Sequence, residues 1–386
     1  MAGVPYYDIN QIMWRWRRKE GALVVRGVEL SMAKAPPPLV NESTAVRVPP
    51  PPKPKAQTGD GLLKMFEIHD RFQRWLNTPP LPKPPKPEKV PPTVPLFDIQ
   101  EIPGAMRKEM MPVAAKLMER WFAGRLNYSK SEADQANEID QNGNPYSDDM
   151  YEYKIVTADW VLKFGRAREQ FDHLINDRIY NPKALAVIQN IVNQHQRHHR
   201  MYFSAWDACD DDIRELHKYF QFQRVTVDST FEQKAWTALA QATFRAPDDL
   251  TAALGSFEIN AAIPDLEYDF QKKVAIVRRI VVYVKDSYSF QGAADSTSQY
   301  LGHWSKNGVI ISTGTEAANL ARFPWLDQPI LTAPAQALYD AGKIYYPIRN
   351  RDFRQWQRMH GRGGDFIIYS NYKPLYLKKP IFVHFE

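Results

Sequence analysis

The sequence predicts an α+β protein, with a helical middle region followed by an antiparallel β-rich C-terminal part and preceded by a proline-rich, extended N-terminal arm. Three observations predict this class. Of the 30 prolines, 17 lie between Pro36 and Pro95. Apolar residues recur at helical spacing from Ile102 to about Phe244. Short runs of β-branched and aromatic residues follow from there to the end of the chain. The expected divisions are residues 1–95, 96–250 and 251–386.

The N-terminal arm should be extended, because proline lacks an amide hydrogen and restricts the residue before it. Blocks such as "VPPPPKPK" at residues 48–55 predict polyproline-like spacers. Residues 61–77, "GLLKMFEIHDRFQRWLN", carry apolar side chains at helical spacing and predict one short amphipathic helix. Its docking on the C-terminal domain and its docking on a partner protein are equal alternatives.

Three short segments of the arm share an aromatic residue, an acid, an isoleucine and a polar residue. They are "YDIN" at Tyr7, "FEIH" at Phe66 and "FDIQ" at Phe97. Because acids are favoured near helix N-termini, we interpret them as three helix starts rather than as a repeat. The basic aromatic cluster "MWRWRRKEG" at residues 13–21 is interpreted as a solvated or partner-bound helix.

The middle region contains several amphipathic helices with recognisable starts. Residues 106–122 predict one helix in which Pro112 occupies a first turn or marks a kink. Helices are also expected over residues 157–175 and 181–200, with Thr157 and Asn181 as N-caps. The second of these ends in His195, His198 and His199, a trio that we interpret as a polar helix end rather than as a metal site.

The β-rich part contains the densest set of polar side chains. The strand "VVYVKDSYSF" at residues 281–290 leads into a loop, and "GDFIIYS" at residues 364–370 is a second strand. Gly361, Gly363 and Gly364 precede that strand, in a turn that either approaches a ligand closely or only reverses the chain.

Acids, histidines and arginines of this part could support hydrolysis of a phosphate-containing compound, because acids can activate water and arginines neutralise phosphate oxygens. The candidate catalytic residues are Asp286, Asp295, His303, His360 and Asp365. The candidate substrate-binding residues are Arg354, Arg358, Arg362, Gln299 and Trp304. For Arg354 and Arg358, the alternative is an ion pair with Asp352 or a solvated helix face. For Trp304, the alternative is a position in the core. No cofactor is identified, and metal dependence is left open.

Charge and composition argue against several classes of function. Residues 1–100 contain 15 Lys+Arg and 9 Asp+Glu, so they hold the whole net charge of +6. The basic excess therefore belongs to the arm, and the lack of a nucleic-acid-binding motif argues against nucleic acid as a partner. No apolar run is long enough for a membrane helix, and no signal peptide is recognisable. The single cysteine, Cys209, suits a reducing compartment and is interpreted as a buried apolar residue.

Several segments together carry a resemblance: "IPGAMRKEMMPVAAKLMERWF", "VTADWVLKFGRAR", "VYVKDSYSFQG", "SQYLGHW" and "NRDFRQWQRMHGRGGDFIIYS". They resemble an uncharacterised proteobacterial family, a domain of unknown function met near type VI secretion genes, over about residues 97–386. The resemblance implies an interbacterial effector or an accessory of the secretion spike, and it assigns no reaction. The layout "VKDSYSFQGAAD" also resembles colicin M-type toxins, which cleave a lipid-linked peptidoglycan precursor. It departs from them because His303 is followed by Trp304 instead of arginine.

Two hypotheses follow. The first is a toxin that hydrolyses a phosphate-containing target, resides in the cytoplasm of the producing bacterium, is secreted without a signal peptide and is accompanied by an immunity protein. The second is a non-enzymatic adaptor or spike-associated protein, whose proline-rich arm binds a secretion-spike or chaperone protein.

Overall fold

The computed structural model describes residues 6–10, 15–19, 30–39, 97–196, 201–229, 248–291, 298–310, 329–331 and 342–385. These residues belong to one unit, formed by Met1–Val40 and Thr93–Glu386. A second unit, Asn41–Pro92, lies outside the described residues. The helix predicted over residues 61–77 and the candidate Asp295 also fall outside the described ranges.

The predicted helical middle is confirmed. Among the described residues, the helices that begin in this region are α1 (Ile102–Lys108), α2 (Pro112–Ala123), α3 (Glu132–Ala136), α4 (Ala158–Val161), α5 (Gly165–Asn176), α6 (Pro182–His195), α7 (Ala205–Ala208), α8 (Ile213–Phe220) and α9 (Asp249–Leu254). A further helix, α10 (Asn350–His360), lies in the C-terminal part. Asn181 caps α6 by accepting a hydrogen bond from the amide of Ala184 (2.8 Å), and Thr157 caps α4 in the same way.

Two predicted helices are each divided in the structure. The helix expected over residues 106–122 breaks before Pro112, which begins α2 because a proline cannot donate the amide hydrogen that helix interiors use. Met110 there has a positive φ of 61°. The helix expected over residues 157–175 becomes α4 and α5, which are separated by residues 162–164.

The β-rich C-terminal part is confirmed as mostly antiparallel. The strands are β1 (Tyr6–Asn10), β2 (Arg15–Lys19), β3 (Tyr151–Glu152), β4 (Tyr202–Ser204), β5 (Gln221–Val227), β6 (Phe257–Ala262), β7 (Asp265–Asp269), β8 (Val274–Tyr288), β9 (Tyr300–Ser305), β10 (Gly308–Ile310), β11 (Ile330–Leu331), β12 (Ile344–Arg349), β13 (Phe366–Tyr369) and β14 (Lys373–His384). One sheet has six strands in the order β10-β9-β12-β11-β1-β2. The other has eight, with the path β3-β13-β8-β6-β5; β14 and β7 also pair with β8, and β4 pairs with β7.

Strand β8 organises the larger sheet, because its 15 residues are long enough to pair with β6 and β7 along one edge and with β13 and β14 along the other. Beyond its C-terminal end, Phe290 stacks on Phe353 of α10 with ring centroids 3.8 Å apart. Trp121 of α2 packs edge-on against both rings. This aromatic cluster joins α2, the end of β8 and α10, and so fixes where α10 lies.

Two of the three predicted helix starts lie within the described residues. Residues 6–10 and 15–19 are strands β1 and β2, an antiparallel pair, so the helix interpretations of "YDIN" and of the basic cluster were wrong. A short connection between two segments containing aromatic residues favours a hairpin. The start at Phe97 is confirmed, because Asp98 caps the 3-10 turn Ile99–Glu101 that leads into α1.

Candidate functional site

Helix α10 carries two of the predicted substrate-binding arginines and is fixed at both ends by local sequence. At its N-terminus, Asp352 accepts a hydrogen bond from the backbone amide of Arg349 (2.7 Å). After its C-terminus, Gly361 adopts the left-handed conformation (φ 59°), which glycine reaches without a steric cost. These two features mark where α10 begins and ends.

The structure brings two predicted site residues, Arg354 and Asp365, together as an ion pair. The Asp365 carboxylate accepts two hydrogen bonds from the Arg354 guanidinium (2.6 and 3.1 Å) and one from the indole of Trp121 (2.9 Å). Asp365 is only 2% exposed. Burial raises the pKa of Asp365, and the guanidinium and the indole N–H oppose that rise. The carboxylate is therefore held by the protein's own donors, and it ties α10 to α2.

The glycine turn after α10 approaches another part of the backbone. The amides of Gly363 and Gly364 donate to the carbonyl oxygens of Gly124 (3.1 Å) and Trp121 (3.0 Å). A Cβ atom at residue 364 would lie 2.5 Å from the carbonyl oxygen of Arg125, which is closer than atoms can approach without a clash. The turn therefore closely approaches the backbone of the chain itself.

Two further predicted site residues, His360 and Arg362, bind the main chain of residues 30–39. The Nε2 atom of His360 lies 2.7 Å from the carbonyl oxygen of Met32. Since a carbonyl oxygen can only accept, this nitrogen carries the proton. An N–H of Arg362 donates to the carbonyl oxygen of Pro37 (2.9 Å). The polar atoms predicted to contact a substrate therefore hold a segment of the chain.

Ser31 and Asp98 join the two ends of the proline-rich stretch. The amide of Ser31 donates to the carbonyl oxygen of Phe97, and the amide of Ile99 donates to the carbonyl oxygen of Ser31, both at 2.9 Å. The Ser31 hydroxyl donates to the Asp98 carboxylate (2.7 Å), which also accepts from the amide of Lys34 (3.1 Å). We call these four hydrogen bonds the clasp. They place residue 31 beside residue 98 in a parallel bridge.

The side-chain amide of Gln100 completes the contacts to residues 30–39 by donating to the carbonyl oxygens of Lys34 (2.6 Å) and Ala35 (3.3 Å). We call the surface formed by Asp98, Gln100, His360 and Arg362 the groove. All of its hydrogen bonds to the segment, except the one from the Ser31 hydroxyl, use main-chain atoms of the segment. The groove can therefore hold an extended peptide largely without reading its side chains.

His303 and Trp304 lie on β9 of the six-stranded sheet. His303 is fully buried, and its Nδ1 is hydrogen-bonded with the Tyr300 hydroxyl. Trp304 is 4% exposed, and its indole N–H donates to the carbonyl oxygen of Leu301 (3.0 Å). The core alternative for Trp304 therefore describes its position, and His303 shares that buried environment.

The other predicted substrate-binding residues, Arg358 and Gln299, are exposed. Arg358 lies on α10 one helical turn after Arg354, while Gln299 immediately precedes β9. The side-chain oxygen of Gln299 accepts a hydrogen bond from Asn350 at the start of α10 (3.2 Å). Of the two, only Arg358 carries a charge, and solvent reaches it.

Asp286 lies near the C-terminal end of β8, opposite Ile368 of β13, and is half-buried. Burial raises its pKa to about 8; the Ser287 amide opposes this rise and the negative charge of Glu258 adds to it. Its carboxyl is therefore mostly protonated at neutral pH while it keeps some contact with solvent. Such a group can donate a proton, which is what a general acid requires.

Strand β8 also contributes to a cluster of hydrogen-bonded and charged side chains that the sequence did not predict. His217 of α8 places its Nδ1 2.9 Å from the hydroxyl of Tyr283. Two residues along the strand, the ammonium group of Lys285 lies 2.8 Å from the carboxylate of Glu138. The hydroxyl of Tyr151 donates to the same carboxylate (2.5 Å).

The protonation of His217 follows from its surroundings. Burial lowers its pKa to about 4, with a further decrease from the positive charge of Lys285, so the imidazole is neutral at pH 7. Tyr283 is 1% exposed, and burial raises its pKa well above 10. A buried phenol needs an acceptor for its proton, so we assign the hydroxyl as donor to Nδ1. The proton of the neutral imidazole is then on Nε2.

The four predicted catalytic residues that the structure describes lie on different parts of the fold. Asp365 joins α10 to α2, His360 belongs to the groove, His303 lies in the six-stranded sheet, and Asp286 lies on β8. None of the hydrogen bonds given above joins two of these four. Within the described ranges, no group of three or more His, Cys, Asp or Glu side chains is arranged to hold a metal ion.

Comparison with known proteins places most of the chain, residues 97–385, in one family. The model of a family of unknown function, DUF6402, matches residues 97–385. No curated protein and no solved structure matches the chain. The match begins one residue before Asp98, so it includes all four groove residues, while residues 30–39 and the proline-rich stretch precede it. No helix among the described residues is long and apolar enough to cross a membrane.

Proposed function

The chain belongs to the family of unknown function DUF6402, and we propose that it is an interaction protein that presents its proline-rich stretch, residues 40–96, to a partner. The clasp is the observation that supports this proposal. Ser31 and Asp98 hydrogen-bond to each other on the two sides of the stretch, so the stretch is attached to the domain at both ends. The stretch therefore connects two described segments that lie side by side.

A loop of this composition suits binding. Proline-rich chain is already restricted in conformation, so it loses little entropy when a partner orders it. Attachment at both ends restricts it further, because the two ends cannot move apart. The basic excess of residues 40–96, 9 Lys+Arg against 5 Asp+Glu, favours a partner with an acidic surface.

A secretion-spike or chaperone protein is the partner to test first. This choice rests on the resemblance to a family met near type VI secretion genes, which is a sequence argument alone. The acidic character of the partner rests on the charge of the arm. A spike or chaperone protein with an acidic surface would agree both with the family resemblance and with the charge of the arm. Such a protein can be purified for a direct binding measurement.

The contacts of residues 30–39 decide which part of the arm can be removed without disturbing the domain. Deleting residues 1–95 would also remove β1, β2 and the segment held by the groove, and so would disturb the domain. A cleaner variant replaces residues 41–92 with a glycine-serine linker of equal length and leaves the clasp intact. Purified wild-type protein and this variant are then titrated against the candidate partner by isothermal calorimetry. We expect binding by the wild type and a loss of at least tenfold in affinity for the variant.

A matched control separates the effect of the loop from that of an exposed positive charge elsewhere on the domain. Arg358→Ala removes an exposed positive charge from α10 and leaves the loop unchanged. We expect its affinity for the partner to equal that of the wild type. Equal affinity of the linker variant and the wild type would refute the proposal, provided that both have the same thermal stability.

A second candidate function, hydrolysis of a phosphate-containing target by a toxin, is supported by Asp286. Its pKa of about 8 lies where a general acid functions best at neutral pH. The test expresses the chain in the cytoplasm and, separately, in the periplasm of a sensitive bacterium. If Asp286 donates a proton, Asp286→Asn abolishes the growth defect without loss of folded protein. Absence of a growth defect in both compartments, with the protein present, would exclude this function.

A further inference from the structure

We propose that the groove is a receptor site for an extended peptide, and that two copies of the chain exchange residues 30–39 through it. In the structure the groove holds this segment of its own chain. The groove residues Asp98, Gln100, His360 and Arg362 would accept the same segment from a second copy, because the contacting atoms would be identical. This inference does not depend on what the proline-rich loop binds. In an exchanged pair, the clasp would join Ser31 of one copy to Asp98 of the other.

The recognition is largely a recognition of main chain. The carbonyl oxygens of Met32, Lys34, Ala35 and Pro37 accept hydrogen bonds at 2.7, 2.6, 3.3 and 2.9 Å. An extended, polyproline-like chain forms no hydrogen bonds within itself, so its carbonyl oxygens need donors from elsewhere. A surface that provides neutral and cationic donors at intervals along an extended chain meets this need.

Two apolar side chains give the segment its position along the groove. Met32 is 9% exposed and belongs to the hydrophobic core, and Leu30 is partly buried against it. The following residues, Ala33, Lys34 and Ala35, are exposed. Leu30 and Met32 thus anchor the segment in the core. The residues that follow them are held through their main chain, and their side chains are exposed to solvent.

The chain on either side of the segment allows exchange. Residues 20–29 separate it from β2, and residues 40–96 separate it from Phe97. Ten extended residues span up to about 35 Å, so the shorter connection can reach a second molecule. A segment between two long connections, held by contacts that a second copy reproduces, meets the requirements for segment exchange between identical chains.

A disulfide that can form only between molecules tests the exchange. Ser31 and Asp98 lie in a bridged pair with their side chains in contact (2.7 Å), which is suitable geometry for a disulfide. Full-length Ser31→Cys protein is mixed with full-length Asp98→Cys protein at high concentration and oxidised. The native Cys209 is buried and provides no exposed thiol. We expect a species of twice the 44.6 kDa chain mass on a non-reducing gel, several-fold above the amount that either variant forms alone.

The double variant, Ser31→Cys with Asp98→Cys, is the geometric control. It should form the disulfide within one molecule and migrate as a monomer. If the double variant is oxidised within the molecule while the mixture of single variants forms no dimer above the level of either alone, exchange is refuted.

A peptide experiment keeps the proposal testable if a variant is unstable. A synthetic peptide with the sequence of residues 30–39, in which cysteine replaces Ser31, is oxidised with full-length Asp98→Cys protein, and the product is measured by mass spectrometry. We expect a covalent adduct at the introduced thiol of the Asp98→Cys protein, and we expect Arg362→Ala in the same protein to reduce it several-fold. The absence of any adduct with folded protein would overturn the receptor proposal.

Discussion

The ion pair of Arg354 and Asp365 allows the sharpest separation of a structural role from a catalytic one. Replacing Arg354 with methionine keeps most of the side-chain volume and removes the charge. The Asp365 carboxylate, 2% exposed, then loses two of its three side-chain hydrogen bonds and keeps only the bond from Trp121. We expect the free energy of unfolding at pH 7 to decrease.

The magnitude follows from the cost of an uncompensated buried charge. Removing one partner of a buried ion pair costs about 3–5 kcal/mol. The side chain of Arg354 is 18% exposed, and the indole bond remains, so we expect about 3 kcal/mol. Asp365→Asn removes the charge but keeps a hydrogen-bonding amide, and we expect about 1–2 kcal/mol. The double variant should lose about 2 kcal/mol less than the sum of the two, because no charge is then left buried.

Urea denaturation of the four proteins, followed by tryptophan fluorescence and circular dichroism, measures these differences. The cost of Arg354→Met should also decrease as the pH falls. A carboxyl group with a raised folded-state pKa destabilises the fold only above its unfolded pKa of about 4, so protonation at low pH relieves the variant. Additive effects of the two single substitutions within about 0.5 kcal/mol, or no pH dependence, would refute the structural interpretation of this pair.

Three further predictions concern single residues. Gly364→Ala should destabilise the fold by more than about 2 kcal/mol because its Cβ would meet a backbone oxygen at 2.5 Å; thermal denaturation measures this. Gly361→Ala, whose Cβ meets nothing within 4 Å, is the control at about 1 kcal/mol, and equal effects would contradict the packing argument. Asp286→Asn should match the wild type in stability at pH 4 and exceed it by a growing margin as the pH rises to 8, because burial raises the folded-state pKa from 3.8 to about 8 and the ionised form is penalised across that interval. A constant difference between these pH values would contradict this prediction. The imidazole of His217, with a pKa of about 4, should remain neutral at pH 5.5, which NMR can measure. Because its pKa is lower in the folded protein than in the unfolded chain, the fold should lose stability as the pH falls from about 6.5 to 4. Protonation of His217 above pH 6 would show that the side chain is solvated.

The sequence predicted those features that depend on neighbouring residues. Pro112 begins a helix, and Asn181 and Thr157 cap helices, because proline and capping side chains act on amides within three residues. The start at Asp98 was identified for the same reason. The helix interpretation of Tyr6–Asn10 failed, because its pairing with Arg15–Lys19 overrides a weak local preference.

The site could be predicted only in its residue types. The density of polar residues in the sequence identified Asp365 and Arg354 as candidates. Their third partner, Trp121, is 244 residues away from Asp365, and no local pattern connects the two. His217 gave no signal because its partner, Tyr283, belongs to a strand whose apolar run indicates only a core position. The partner of Asp98 in the clasp, Ser31, lies in a segment without periodicity. Convergence of distant residues is decided by tertiary packing, which a single sequence does not encode in readable form.

The most direct test of the central claim uses the clasp as a covalent link. A recognition site for a sequence-specific protease replaces residues 56–60 in the variant that carries Ser31→Cys and Asp98→Cys, and the protein is oxidised and cleaved at low concentration. If the proline-rich stretch is a loop attached at both ends, the cleaved protein migrates as one species of full mass without reductant and as two fragments with it. Two separate fragments without reductant would contradict the account, because residues 31 and 98 would then not lie side by side.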